Sequence, residues 1–235
     1  MGETILEATD LRTSYGTSKV LHGVSLSIDR GDVIALIGRN GVGKTTLLKC
    51  LMGINRLDTG TVLFEQKKAE SSIHGMSKAG IAYVPQGREI FSDFTVRENL
   101  EFGAVNENKD EIERRFVKIM EYFPALKPHL ERRGGILSGG QQQQLAIGRA
   151  LMSSPKLLLL DEPTEGIQPN VVAGIADILS RVHREMNLPI VIVEQNLKFA
   201  MKHANRFVCM QKGQIVAEGT KEELTQEMID RYLKV

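Results

Sequence analysis

The sequence lacks the features that would mark a membrane-spanning, secreted or nucleic-acid-binding protein. Among its 235 residues no apolar run approaches the roughly 18 residues of a membrane span, and the N-terminus lacks a charged-then-apolar signal pattern. Its two cysteines, Cys50 and Cys209, lie far apart in apolar surroundings, which is typical of buried thiols in a reducing compartment. Thirty basic and 29 acidic residues leave a net charge of +1, which gives no reason to expect a nucleic-acid partner. We therefore expect a soluble, cytoplasmic protein.

The most informative stretch is Gly38–Thr45, with the sequence GRNGVGKT. It follows the apolar run Val33–Ile37 and precedes the apolar-periodic segment Thr46–Met52, so it joins a strand to a helix. Its glycines let backbone N–H groups close around an anion, and the helix N-terminus adds unpaired donors and partial positive charge. Lys44 can contact the β- and γ-phosphates, and the Thr45 hydroxyl can ligate Mg²⁺. The pattern predicts a nucleotide-binding site.

The remaining segments alternate between strand-like and helix-like patterns, which predicts an α/β fold with a parallel sheet and helices on both faces. Residues 87–149 have a mainly helical pattern, which predicts an inserted helical subdomain. The segment Leu11–Gly16 is expected to be a loop, and Glu65–Lys78 is a polar stretch. A C-terminal helix is expected after a capping box of Thr220 and Glu223. The predicted strands are Ile5–Thr9, Val24–Ile28, Thr61–Phe64, Ile81–Val84, Leu157–Leu160, Ile190–Val193, Phe207–Met210 and Ile215–Glu218, and a long helix is predicted over Val171–Met186.

Polar side chains follow two of these strands, at the edge where ligands collect in open α/β sheets. Asp161 and Glu162 end the apolar run Leu157–Leu160, and Gln86 lies just beyond Ile81–Val84. A carboxylate such as Asp161 suits Mg²⁺, which prefers hard oxygen ligands. Glu162 can accept a proton from water that attacks a γ-phosphate. The alternative, a solvated acidic loop, is disfavoured by the phosphate-binding pattern.

Two further features have both a structural and a functional explanation. Tyr15 could pack locally or stack on a base, and its position ahead of the phosphate loop favours stacking. Ser138 and Gln141 have the spacing of an N-capping box. Gly139 and Gly140 between them cost up to about 1 kcal/mol each in a helix, which favours a position that another group must approach closely.

Together, GRNGVGKT, Gln86, LSGGQ and LLLLDEP resemble the ATP-binding cassette of ABC transporters over essentially the whole chain. The resemblance implies a P-loop NTPase fold with a mixed β core, an antiparallel β subdomain and an inserted α-helical subdomain. It implies that residues 1–86 and 150–235 form the nucleotide-binding core with the β subdomain. Residues 87–149 would form the helical signature subdomain of the same single domain.

The resemblance also implies ATP and Mg²⁺ as ligands and a role for each matching residue. Tyr15 would stack on adenine, Gln86 would sense Mg²⁺ and water, and Glu162 would be the catalytic base. The implied catalytic residues are Glu162, Gln195 and Gln86, and the implied metal-binding residues are Thr45, Gln86 and Asp161. The implied ATP-binding residues are Tyr15, Gly38, Arg39, Asn40, Gly41, Val42, Gly43, Lys44, Thr45 and Thr46, with Ser138, Gly139, Gly140 and Gln141 reaching ATP held by the opposite subunit.

The implied partners are those of an importer at the cytoplasmic face of the plasma membrane. They are a second ATP-binding subunit, identical or related, in a head-to-tail dimer, two membrane-spanning permeases and a periplasmic or extracellular solute-binding protein. The sequences AGIAYVPQGREIF, TEGIQP and VEQN look most like the second ATP-binding subunit of urea and short-chain amide importers. The branched-chain amino acid importer subunit is the nearest relative and the alternative. Such a subunit does not touch the solute.

Two departures from the family pattern bear on turnover. Thr164–Ile167 replaces the common Ser-Ala-Leu-Asp type, and Gln195 occupies the position of the switch histidine. A glutamine amide donates a hydrogen bond but has no positive charge and shuttles no proton. We expect this site to be slowed and the natural partner to be a related subunit with a histidine. The alternative is that both sites work alike.

Two other interpretations of the cassette remain, and one segment has two explanations. A soluble cassette of the translation or DNA-repair type is disfavoured because the chain has one cassette and no long heptad run. A regulatory nucleotide binder that does not hydrolyse is disfavoured by Lys44 and Glu162, although Gln195 keeps it open. The segment Gln86–Phe94, expected to expose Arg88, Ile90 and Phe91, either packs locally or receives a coupling helix of a permease.

Overall fold

The computed structural model describes residues 2–68 and 70–232; residues 1, 69 and 233–235, which fall within the expected core ranges, lie outside the description. The strands are β1 (Thr4–Tyr15), β2 (Ser18–Asp29), β3 (Val33–Ile37), β4 (Thr59–Phe64), β5 (Lys67–Lys68), β6 (Ile81–Val84), β7 (Leu157–Asp161), β8 (Ile190–Val193), β9 (Arg206–Gln211) and β10 (Gln214–Thr220). The α-helices are α1 (Lys44–Leu51), α2 (Ile73–Ala79), α3 (Val96–Phe102), α4 (Lys109–Tyr122), α5 (Gly139–Met152), α6 (Pro169–Met186), α7 (Leu197–His203) and α8 (Gln226–Tyr232).

One sheet has the order β10-β9-β3-β8-β7-β6 and forms the mixed core. Its neighbours from β9 to β6 are parallel, and only β10 pairs antiparallel, with β9. Every residue of β3, β7 and β8 is buried, as expected for parallel strands covered on both faces. Because the strands are parallel, β3, β6, β7 and β8 end at the same edge, which therefore collects the residues that follow them. The predicted α/β fold with a mixed core is confirmed.

A second, antiparallel sheet has the order β2-β1-β4-β5. The predicted loop over Leu11–Gly16 was wrong, because β1 continues to Tyr15 opposite β2. Leu11 and Thr13 point into the core, and the Thr13 hydroxyl donates to the carbonyl of Arg56 at 2.7 Å. Strand β2 begins two residues after β1 and pairs with this backbone, so the segment is one side of a β-hairpin. The polar stretch over Glu65–Lys78 contains β5 and most of α2.

Helices α3, α4 and α5 pack beside the mixed sheet around a cluster that includes the fully buried Phe123. The expected capping box of Ser138 and Gln141 is confirmed at the start of α5. The expected capping box of Thr220 and Glu223 exists, but it caps a 3₁₀ turn (Lys221–Glu223) instead of α8. No helix in the described part of the chain is long and apolar enough to cross a membrane.

Both cysteines are buried free thiols. Burial raises the pKa of Cys50 and of Cys209 to about 11, so both remain protonated at neutral pH. The expectation that they act as small buried hydrophobes fits this environment.

Candidate nucleotide-binding site

A lysine side chain hydrogen-bonds to the backbone of the loop between β3 and α1. Lys44 is 5% exposed, and its Nζ donates to the carbonyl oxygens of Gly38 at 2.7 Å and Arg39 at 2.8 Å. Burial lowers the pKa of Lys44, and the nearby carboxylates of Glu162 and Asp161 act in the opposite direction. Since an ammonium group has three donors, Lys44 can hold the loop and contact a phosphate oxygen at once.

The loop has no room for a side chain at its first position. Gly38 has φ of 152°, and a Cβ there would lie 2.5 Å from the carbonyl oxygen of Met210. The backbone at this point therefore requires glycine, both for its conformation and for its contact with β9.

A cavity of about 380 Å³ lies over this loop. Its lining residues come from the β1–β2 hairpin, the phosphate loop with the start of α1, and the segments that follow β6, β7 and β8. They are Tyr15, Val20, Asn40, Gly41, Gly43, Lys44, Thr45, Thr46, Gln86, Glu162, Glu165 and Gln195. The tertiary structure thus brings most of the predicted site residues to one cavity. Gly38, Arg39 and Val42 belong to the loop without lining the cavity, and Ser138–Gln141 also lie outside its lining.

Asp161, at the end of β7, is held by two hydroxyl groups. Thr45 Oγ1 donates to Asp161 Oδ1 at 3.0 Å, and Tyr83 Oη donates to Oδ2 at 3.0 Å. Burial raises the pKa of Asp161, and these two hydrogen bonds lower it. The Thr45 hydroxyl and the Asp161 carboxylate therefore present hard oxygen atoms side by side, which suits Mg²⁺.

No group of three or more His, Cys, Asp or Glu side chains within residues 2–68 and 70–232 could hold a metal ion. Mg²⁺ is commonly held by one or two protein ligands together with substrate phosphates, so the pair of Thr45 and Asp161 fits a shared site. Gln86, the third expected ligand, is turned to another group: its Nε2 donates to Glu165 Oε2 at 3.0 Å.

Glu162 and Gln195 are in direct contact, although they are 33 residues apart in sequence. Gln195 Nε2 donates to both carboxylate oxygens of Glu162, at 3.0 and 2.9 Å. Glu162 has φ of 47°, and its N–H donates to the carbonyl of Val193 at 2.9 Å, which ties the end of β7 to the end of β8. A non-glycine residue in this left-handed conformation is uncommon and is found where surrounding contacts enforce it.

Tyr15 ends β1 and is 52% exposed, so it is not a packing residue of the core. Its hydroxyl oxygen accepts a hydrogen bond from Asn55 Nδ2 at 2.5 Å, which holds the ring at the rim of the cavity. An exposed, fixed aromatic face at this position can stack on a base.

The segment Ser138–Gln141 begins α5. A Cβ on Gly140 would lie 2.5 Å from Val171 Cγ1, so the close approach expected at this glycine is made by α6 of the same chain. Ser138 is exposed at the helix start. Arg88 joins this helix to the cavity, since its Nη1 donates to Gln142 Oε1 at 3.1 Å and its Nη2 to the carbonyl of Glu165 at 3.2 Å.

The expectation that Arg88 and Ile90 are exposed was wrong. Both are half-buried, Arg88 through the hydrogen bonds just described and Ile90 by packing on the core, whereas Phe91 is 38% exposed. Tyr83, Glu165 and Glu194 were not among the residues predicted from the sequence. The only signal for Glu194 is that, like Asp161, it directly follows a buried parallel strand.

A glycine-bounded phosphate loop at a strand-to-helix junction, with a threonine–aspartate pair beside it, defines a P-loop nucleotide-binding protein. The family model described as ABC transporter matches residues 21–165. The chain belongs to this family and is an ATP-binding, ATP-hydrolysing cassette.

Curated relatives and solved structures match the chain over nearly its full length. The high-affinity branched-chain amino acid transport ATP-binding protein BraG of Pseudomonas aeruginosa is 40% identical over 232 residues, covering 97% of this chain and 99% of BraG. The probable branched-chain amino acid transport ATP-binding protein LivF of Archaeoglobus fulgidus is 33% identical over 221 residues, or 94% of each chain. The ADP conformation of MJ1267, an ATP-binding cassette of an ABC transporter, has a TM-score of 0.84 and 31% identity, covering 97% of this chain and 95% of that one.

Proposed function

We propose that the chain is the ATP-hydrolysing subunit of an importer for hydrophobic amino acids, with branched-chain amino acids as the solute class. The similarity to BraG over nearly the whole of both chains supports this class. The expected urea or short-chain amide solute is less well supported than this alternative. A cassette of this kind does not contact the solute, so the assignment depends on the relatives and not on any residue of the site.

The observation that carries the ATPase role is the single cavity that Lys44, Thr45, Glu162 and Gln195 line together. The loop Gly38–Thr46 and Lys44 bind the ATP phosphates, and Tyr15 stacks on the adenine. Thr45 and Asp161 would hold Mg²⁺, which would neutralise phosphate charge, and Gln86 could serve as a further ligand only without its hydrogen bond to Glu165. Glu162 accepts the proton of the attacking water, and Gln195 orients the Glu162 carboxylate.

The segment Ser138–Gln141 completes the ATP site of a second ATP-binding subunit. It lies outside the lining of this chain's own cavity, and exposed Ser138 begins a helix whose N-terminal donors favour an anion. A head-to-tail arrangement lets each subunit supply this segment to the other. A partner with a histidine at the position of Gln195 would make the two sites unequal, so a heterodimer is the favoured form.

The permease partners dock in a groove of about 880 Å³ beside residues 87–149, the expected helical subdomain. Phe91 and Phe102 line this groove with ring centroids 4.7 Å apart, and the guanidinium of Arg149 lies 4.9 Å from the Phe91 ring centroid. A groove lined by aromatic rings and by the cations Lys78, Arg115 and Arg149 suits an amphipathic helix of a membrane partner. With this contact the chain would lie at the cytoplasmic face of the membrane, below a permease pair that receives solute from an external solute-binding protein.

The test compares the Lys44→Ala and Glu162→Gln variants with the wild-type chain, each as the full chain in its membrane complex. Lys44→Ala should weaken ATP binding and abolish uptake, because it removes the cation at the β- and γ-phosphates. Glu162→Gln should bind ATP normally and hydrolyse it at least about 100-fold more slowly, because the amide accepts no proton. Lys118→Ala, on the exposed face of α4, is the control. Wild-type uptake by Lys44→Ala would contradict the ATPase role.

The solute class is tested separately in the complex with its solute-binding protein. Leucine, isoleucine and valine should stimulate ATP turnover, and urea and acetamide should not. Stimulation by urea alone would restore the urea assignment and leave the ATPase role untouched.

A further inference from the structure

Glu194 is a buried acid that the proposed chemistry does not use. It follows β8 directly and is 4% exposed. A carboxylate at such a position is costly unless hydrogen bonds replace its hydration. Burial raises the pKa of Glu194, and the hydrogen bonds from Thr164 and Asn196 lower it. The hydrogen-bond partners of the Glu194 carboxylate therefore indicate its role.

The two carboxylate oxygens of Glu194 bind two different segments. Oε1 accepts hydrogen bonds from the N–H of Thr164 at 2.9 Å and from its hydroxyl at 2.6 Å. Oε2 accepts hydrogen bonds from the N–H groups of Gln195 and Asn196, each at 3.2 Å. One rigid carboxylate thus joins the loop after β7 to the turn after β8.

These are the two segments that supply Glu162 and Gln195. Glu162 precedes Thr164 by two residues, and Gln195 follows Glu194 directly. Thr164 is 9% exposed and Glu194 4%, so the link is shielded from water, whereas the contact between Gln195 and Glu162 is exposed at the cavity. A shielded hydrogen bond between charged and neutral partners is stronger than an exposed one. The buried link is therefore the firmer of the two connections between these segments.

We propose that Glu194 is a positioning residue for ATP hydrolysis, which sets the Gln195 amide against the Glu162 carboxylate by holding Thr164 and the Gln195–Asn196 backbone in one place. The inference rests on the proposed roles of Glu162 and Gln195. It adds a third residue that touches neither nucleotide nor water and acts through Gln195. Because about 1 Å of misplacement can reduce turnover 100-fold, such a residue has a large effect without contacting the substrate.

The main variant is Glu194→Gln in the full chain. Its amide keeps the shape but turns one acceptor oxygen into a donor, which then faces either Thr164 or the Gln195–Asn196 backbone. We expect kcat for ATP to fall by no more than the loss of about tenfold expected for Gln195→Ala, because Glu194 acts through Gln195, with KM within about threefold of wild type. Glu7→Gln, on the exposed face of β1, is the matched control.

If Glu194 acts through Gln195, the losses of kcat caused by substitutions at the two residues should not multiply. In a Gln195→Ala background, Glu194→Gln should cause no further loss of kcat, whereas a purely structural role would multiply the two losses. If Gln195→Ala alone left kcat unchanged, the proposed role of Gln195 would fail. The NMR signals of the Gln195 side-chain amide would still show whether Glu194 positions it.

Thr164, the hydrogen-bond partner of Glu194, allows a matched pair of substitutions. These also test the proposal if Glu194→Gln does not fold. Thr164→Val removes the hydroxyl donor with nearly the same shape and should lower kcat about 3- to 10-fold, while Thr164→Ser keeps the donor and should retain more of kcat than Thr164→Val. The NMR signals of the Gln195 side-chain amide, assigned by their loss in Gln195→Ala, should shift in Glu194→Gln and in Thr164→Val. Multiplying losses, or Gln195 amide signals that keep their wild-type positions in both variants, would overturn the proposal.

Discussion

Gly140 allows the structural and functional explanations of the LSGGQ segment to be separated. In Gly140→Ala the new Cβ would lie 2.5 Å from Val171 Cγ1, too close for any real contact. Valine in a helix has essentially one χ1 rotamer, so Val171 cannot turn aside and α5 must shift from α6. The glycine is therefore required by helix packing, whatever else approaches it.

The expected destabilisation is the balance of two effects. Overpacking costs about 1–3 kcal/mol, and replacing a helical glycine by alanine returns up to about 1 kcal/mol. From the midpoints of these ranges, Gly140→Ala should lower the free energy of unfolding by about 1.5 kcal/mol, a fall in Tm of about 3–6 °C for a chain of this length. Val171→Ala removes the clashing methyl groups and should restore the loss, leaving a coupling of at least about 1 kcal/mol between the two positions.

The assay is thermal unfolding of the two single variants, the double variant and Gly174→Ala. Gly174 lies in α6 with no atom near its would-be Cβ, so alanine there should be neutral or stabilising. Equal Tm changes for Gly140→Ala with and without Val171→Ala would refute the packing argument. If the double variant is as stable as wild type yet has lost ATP turnover in the dimer, the Gly140 backbone also contacts the nucleotide across the interface.

Three further predictions concern turnover, docking and pH. Gln195→His should raise ATP turnover in the assembled complex and Gln195→Ala should lower it about tenfold, because only a donor can orient the carboxylate it contacts. Phe91→Asp should uncouple ATPase activity from uptake and leave the isolated chain folded, as shown by its far-ultraviolet circular dichroism and Tm. Burial, and then Lys202, lower the pKa of His203, with a smaller lowering from Lys221. The unfolded chain then binds the proton first, so stability should fall as pH drops below about 6.5, and His203→Gln should reduce this fall in Tm.

Each of these predictions has a contradicting result. If neither substitution at Gln195 changes turnover, the glutamine has no catalytic part and the argument for unequal sites fails. Val117→Asp, at an apolar position on α4 that is 55% exposed, is the control for Phe91→Asp. An insoluble Phe91→Asp chain beside a soluble control would show that Phe91 belongs to the core. A parallel Tm–pH profile for His203→Gln and wild type would show that His203 carries none of the acid sensitivity.

The sequence by itself determined the parts of this protein that depend on neighbouring residues. The phosphate loop, the acids that end β7 and the capping box of Ser138 and Gln141 each need only a short run of backbone in one conformation. Continuous apolar runs such as Val33–Ile37 specify strands buried on both faces, which is why a parallel core sheet could be predicted.

The tertiary structure alone decided how these parts are connected. Gln86 and Glu165 are 79 residues apart, and Thr164 and Glu194 are 30 apart, so their hydrogen bonds depend on strand order and on side-chain orientation at the sheet edge. The same holds for Gly140, whose neighbour is supplied by another helix. Local propensity is a property of a few adjacent residues, whereas these contacts exist only after distant segments pack, and so no sequence pattern reports them.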